Sequence, residues 1–225
     1  GLFLLGVILW ILFTWLSSRG QFMFLHCVAT NRAEVVAPWR AYGAEANSLW
    51  LFRLALGFVS FLVVGTAVVG AIALVLTMVA REAFSWLLLA GAVGAFLAAA
   101  GCGVVFAVIR KLTLDFVVPV MARRRTGCAA AWGEFLCLTT GYRFDLVLYL
   151  LFQVVLALVV GMGVLAVTIA TCCVAGCLMA LPYLGTVFLL PVYVFDRAYS
   201  LQYLAQFGPE WELIAVEPPP GTSAI

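Results

Sequence analysis

The chain has 225 residues, of which 66% are hydrophobic and 10% charged, with a formal net charge of +2 and a mean hydropathy of +1.19. Soluble domains run at roughly 45–50% apolar and about 25% charged, and a core of this size cannot hide that much apolar surface. The composition therefore excludes a water-soluble globular domain, and the small net charge gives no electrostatic case for nucleic acid.

A membrane-spanning helix needs about 20 apolar residues. Residues 1–16 (GLFLLGVILWILFTWL) form the first predicted span. The run opens with no basic segment before it, so it is not read as a cleavable signal peptide. It also lacks an initiator Met, and further chain is expected upstream of Gly1. Residues 54–80 and 83–109 are the second and third spans. Residues 146–195 carry no charge and are too long for one helix. Pro182, between Gly176 and Gly185, is the natural break, which predicts a fourth span near 146–174 and a fifth near 183–199. The alternating segments of a β-barrel are not found. The expected fold is an all-α, polytopic transmembrane bundle of about five spans, one domain over residues 1–207, with a partly disordered tail over 208–225 that ends Glu217-Pro218-Pro219-Pro220.

Orientation is read from the basic residues. Arg19, Arg32 and Arg40 lie in segment 17–48. Arg110, Lys111, Arg123, Arg124, Arg125 and Arg143 lie in segment 110–145. In the turn near 81 one Arg is offset by Glu82, and the turn near 180 has no charge. Both long basic segments and the tail are thus expected in the cytoplasm, with the short turns outside.

The most informative feature is an internal repeat. At constant offset, Ala29, Arg32, Ala37, Trp39 and Tyr42 match Ala122, Arg125, Ala130, Trp132 and Phe135. A third copy aligns Phe188, Pro191, Arg197, Leu204 and Phe207 with Phe116, Pro119, Arg125, Trp132 and Phe135. Each copy follows an outside-to-inside span and carries large apolar residues at helical spacing: Val35, Trp39 and Tyr42; Cys128, Trp132 and Phe135; Leu201, Leu204 and Phe207. Three interfacial elbow helices are predicted near 22–42, 115–135 and 188–207, with aromatics at the cytoplasmic headgroup level.

The strings SSRGQFMFLHCVATNRAEVVAPWRAYGAEANSLWLFRL, TLDFVVPVM and VFDRAYSLQYLAQFGPEW resemble a family of uncharacterised bacterial multi-pass membrane proteins, a domain of unknown function. That family is distantly similar to the membrane domain fused to some glycerophosphodiester phosphodiesterases. The resemblance covers most of the chain. It implies a bacterial inner-membrane location and an apolar segment upstream of Gly1. It brings no activity and no phosphodiesterase residues.

The repeated Arg32, Arg125 and Arg197 fit lipid phosphate through the guanidinium fork; the favoured alternative is that they snorkel or pair with Glu34 or Asp196 and so fix their elbows. With Arg123 and Arg124 they are the candidate lipid or partner contacts, together with Trp39 and Trp132, residue types enriched at binding hot spots. Arg53, Asp115 and Asp145 sit at the edges of apolar runs, where an ionisable group is cheap to keep. Gln153 lies deep in a span and is expected to bond across helices. Thr66/Gly70, Ala95/Ala99/Gly103 and Ala157/Gly161 offer small-residue seams. The seven cysteines (27, 102, 128, 137, 172, 173 and 177) read as small buried hydrophobes. No metal site, cofactor or catalytic set is expected, since His26 is the single histidine and no motif for hydrolysis or phosphate transfer is present. The leading expectation is a non-catalytic scaffold or accessory subunit of a membrane complex, with lipids and proteins as partners. The alternative is a transporter or binding protein for a lipid or amphipathic solute.

Overall fold

A computed structural model describes residues 1–30, 36–81, 85–171, 176–177, 181 and 184–211. All regular structure among them is helical. In chain order these are α1 (Leu2–Thr30), α2 (Val36–Ala41), α3 (Gly43–Ala80), α4 (Trp86–Leu112), a π-helical turn (Thr113–Val117), α5 (Val118–Arg124), α6 (Cys128–Thr139), α7 (Arg143–Ala170) and α8 (Leu184–Ala205), with a closing 3-10 turn at Pro209–Trp211.

Among the described residues, four helices are long and apolar enough to cross a membrane: Leu4–Thr30, Gly43–Ala80, Trp86–Arg124 and Phe144–Ala170. In the most apolar 18-residue stretch of each, no more than 11% of the residues are buried, as lipid-facing surface requires. Their threonines are satisfied locally. Thr66, Thr77, Thr168 and Thr171 each donate to a carbonyl three or four residues back, which keeps these four hydroxyls hydrogen-bonded where water is scarce.

The expected fifth span corresponds to α8, which is not among the four. Its second half carries Asp196 and Arg197, and its uncharged described part, 184–195, covers only about 18 Å at 1.5 Å per residue. The break at Pro182 lies outside the described residues.

The chain divides into two compact units, one of residues 1–24 and 34–131, the other of 25–33 and 132–225. In the first unit α3 packs along α4, and the two meet closely where Gly91 faces Leu74 and where Ala71 and Ala92 are buried. The core of this unit, however, gathers around the π-turn. Phe116, Val117, Val118, Val120 and Met121 are wholly buried, with Phe22, Leu49, Cys128 and Ala131. The π-turn follows from the sequence: Pro119 has no N–H for the helical ladder, and a widened turn before it accommodates the lost bond. Thr113 Oγ1 donates to the Ile109 carbonyl at 2.6 Å, and Lys111 pairs with Asp115 at 3.1 Å.

In the second unit an aromatic cluster joins α7 to α8. Tyr149 stacks on Tyr199 with ring centroids 5.6 Å apart, and Tyr203 lies 5.0 Å from Tyr149. Gln153 donates to the Tyr149 hydroxyl at 3.1 Å. It is thus satisfied within its own helix, one turn away, rather than across helices. Trp211 is fully buried, so the tail begins as packed structure; residues 212–225 lie outside the described residues.

Of the small-residue seams, Ala99 is buried, but a methyl added at Gly70 or Gly161 would meet nothing. Those two glycines make no close helix contact.

Candidate functional site

Arg32 lies outside the described residues, with Glu34 and Val35. The other predicted contacts separate into packed and exposed residues. Trp39, on α2, is half-buried and meets Trp15 edge-on at 6.0 Å. The Arg19 guanidinium lies over both rings, 4.6 Å from Trp15 and 4.8 Å from Trp39. This cation–π clamp explains why α1 runs on to Thr30 instead of ending near residue 16: its polar residues find partners sideways. Trp132, half-buried, meets Phe135 edge-on at 5.8 Å. Arg197 is buried within α8, and Ser200 donates to its carbonyl. Arg123 and Arg124 are exposed at the end of α5.

Arg125 terminates α5 in the left-handed region, φ 54° and ψ 42°. Its guanidinium lies 4.2 Å over Tyr42, donates to the Ala41 carbonyl, and reaches Glu45 Oε1 at 3.4 Å. Beside it, the Cys128 N–H donates to Ser48 Oγ at 3.0 Å. The two basic segments of this unit therefore meet at one end. Tyr42 also stacks on Phe22 at 5.5 Å, and Leu201 and Leu204 are buried. The repeated stripes thus bury much of their surface in the protein instead of resting wholly on headgroups, because the rings find ring partners there. The elbows are not conformationally equivalent either. Thr126 and Gly127 stop the helix after Arg125, whereas Ala198-Tyr199-Ser200-Leu201 carry it on past Arg197.

The cleft that the sequence reading missed lies in the first unit, between α1, α3 and α4. It holds about 320 Å³ and is half-open. Arg53, Leu56, Gly57 and Ser60 form one wall, and Gly103, Phe106, Ala107 and Arg110 another. Each set is spaced i, i+3, i+4, i+7, a single helix face. Small residues at the centre of each stripe leave the space between the helices empty. A methyl on Gly103 would meet nothing, while one on Gly57 would come within 3.1 Å of Trp10. Trp10 and Thr14 of α1 complete the lining.

The polar end of the cleft is organised by a hydroxyl ladder on α1. Thr14 Oγ1 donates to the Trp10 carbonyl at 2.7 Å, and Ser18 Oγ to the Thr14 carbonyl at 2.8 Å. With its proton committed, Ser18 Oγ accepts from Arg53 Nη1 at 3.0 Å, and Ser17 Oγ lies 3.3 Å from the same atom. Arg53 is therefore oriented by neutral acceptors. Among the described residues neither Arg53 nor Arg110 has a carboxylate partner. Two guanidinium charges share one cleft at the foot of apolar helices, which is where an ionisable group marks function by default. Both stripes were legible as i, i+3, i+4, i+7 patterns ending in an arginine, but only the packing shows that they face each other.

Such a molecule, a helical bundle with four helices fit to cross a membrane and a basic cleft at one end of a compact unit, belongs to the class of membrane-type helical proteins. The chain is a member of a family of unknown function (DUF7544), which matches residues 1–191. No curated protein and no solved structure matches it.

Proposed function

We propose that this chain is a non-catalytic, multi-pass integral membrane protein that binds an anionic amphiphile, with the charged headgroup on Arg53 and Arg110. The observation that carries this reading is the pairing of two arginines, without a facing carboxylate among the described residues, in a cleft otherwise lined by Trp10, Leu56, Phe106 and small residues. An anion there relieves the mutual repulsion of the two cations and gains charge-assisted hydrogen bonds. The apolar lining suits a hydrocarbon neighbour. The lining offers hydroxyls of Thr14 and Ser60 but no carboxylate, imidazole or thiol to move protons, which supports binding rather than catalysis.

Residence in a bacterial cytoplasmic membrane, with the basic segments inside, belongs to the same proposal, as does the distant likeness to membrane domains fused to glycerophosphodiester phosphodiesterases. The second reading, an accessory subunit of a membrane complex, is favoured by the exposed Arg123 and Arg124 at the end of α5.

Native mass spectrometry of the protein extracted in mild detergent tests the proposal. An anionic lipid or amphiphile is expected to be retained, and Arg53→Gln with Arg110→Gln is expected to abolish its retention. Identical retention by wild type and the double variant would sink it.

A further inference from the structure

Arg53 and Arg110 bring two positive charges to one space of about 320 Å³, near the lower end of small-molecule sites. That volume suits a headgroup, not a whole lipid. The lining otherwise offers the hydroxyls of Thr14 and Ser60 and the indole N–H of Trp10, and Thr14 already donates its proton within α1. Nothing in the lining carries a negative charge to receive an ammonium group, so a zwitterionic headgroup would leave its cation unmatched.

Arg53 spends Nη1 on Ser17 and Ser18. Its Nη2 and Nε have no hydrogen-bond acceptor among the described residues. Arg110 is exposed and brings a second fork. Two forks can both pair with a phosphodiester only by sharing its two non-bridging oxygens. The three terminal oxygens of a phosphomonoester offer one more acceptor. Charge leads to the same class, since a phosphomonoester carries about −1.5 to −2 at neutral pH and a diester carries about −1.

We infer that the Arg53–Arg110 cleft selects amphiphiles ending in a phosphomonoester over phosphodiester and zwitterionic lipids. This rests on the anionic-amphiphile reading above and narrows it. The same chemistry is present in free phosphate, but Trp10, Leu56 and Phe106 line the cleft beside the arginines and give a tailed ligand apolar contact that the free ion cannot use.

The full chain in nanodiscs of phosphatidylcholine, doped in turn with phosphatidic acid or phosphatidylglycerol, tests this by counting retained lipids on release. Inorganic phosphate alone is the soluble arm. Phosphatidic acid is expected to be retained on the order of tenfold over phosphatidylglycerol, the worth of one additional charged hydrogen bond. The preference should shrink as pH falls through about 6, where the monoester takes up its second proton. Arg110→Gln, at an exposed position, should remove the preference while the protein stays folded, and Arg110→Lys should keep part of it. Arg53→Gln should remove it too, with helical content checked by circular dichroism.

Equal retention of phosphatidic acid and phosphatidylglycerol, both above phosphatidylcholine, overturns the monoester inference and leaves the anionic-amphiphile reading standing. No enrichment of either over phosphatidylcholine overturns both. Binding of inorganic phosphate as tight as that of phosphatidic acid overturns the tailed ligand.

Discussion

The Arg125 guanidinium sits 4.2 Å above the ring of Tyr42, eighty-odd residues away in the chain, and the same side chain donates to the carbonyl of Ala41. One residue at the end of α5 thereby holds the turn that leads from α2 into α3. Because Arg125 itself has φ 54°, it holds this contact from a backbone conformation that costs a side-chain-bearing residue about 1–2 kcal/mol.

These opposing effects separate in two variants. Arg125→Ala should lose the ring contact and the Glu45 pairing while keeping the backbone cost, for a destabilisation of about 1–2 kcal/mol. Arg125→Gly should be milder by about 1 kcal/mol, since glycine adopts positive φ freely. Thermal unfolding in detergent, followed by circular dichroism, reads both. Equal midpoints for the two would remove the left-handed conformation from the account.

Cys128 is buried, and burial pushes its thiol up to about 12. Only the thiolate attacks a maleimide, and at pH 8 its fraction at Cys128 is on the order of 10⁻⁴ for so high a value. The sign is clear: reactivity at this site rises only at strongly alkaline pH. Cys137, one helix face away on α6, is exposed. Peptide mapping after brief labelling near pH 8 should find Cys137 modified and Cys128 untouched. Modification of Cys128 in denaturant serves as the control, and its rapid labelling in the folded protein would contradict the packing around it.

Gly103 and Gly57 predict opposite outcomes although both line the cleft. Leucine at Gly103 enters open space, so Gly103→Leu should block ligand retention with little change in stability. Alanine at Gly57 presses on Trp10 at 3.1 Å, so Gly57→Ala should cost about 1 kcal/mol unless the indole swings away. Paired melting curves and native mass spectra decide between them. Undiminished ligand retention by a folded Gly103→Leu protein would place the ligand elsewhere.

Residues 41–48 and 125–128 meet through Arg125, Glu45, Ser48 and the Cys128 N–H. In a membrane, both basic segments of the first unit are therefore expected on one side. A cysteine engineered at Arg124 should be silent to an impermeant maleimide in intact cells and reactive in opened ones. Labelling from outside would reverse the orientation.

Helices carry a strong sequence signal when their apolar runs are long, so the predicted span 54–80 falls within α3, and those near 83–109 and 146–174 overlap α4 and α7 over most of their length. Their ends were harder to place. Ser17, Ser18 and Arg19 look like an exit from the membrane, yet α1 continues because Arg53 and the rings of Trp15 and Trp39 receive them, and those partners lie far along the chain. Glu45, which the sequence gives no reason to single out, is buried beside Arg125. The cleft was missed for the same reason. Arg53 reads as an edge residue and Arg110 as part of a basic segment, and only the packing of α3 on α4 brings their stripes face to face.

The π-turn at Thr113–Val117 has a rotational meaning. One residue advances an α-helix by about 100°, so a surplus residue held in a wide turn resets the phase of everything beyond it. Upstream, Gly103, Phe106, Ala107 and Arg110 keep one azimuth toward the cleft; downstream, α5 and its terminal Arg125 follow another, toward Tyr42. Excising one residue between Thr113 and Val117 would restore a regular ladder and swing Arg125 by about a quarter of a turn off that ring. The irregular turn thus works as a phase coupling, letting one continuous rod address two different neighbours through Arg110 and Arg125.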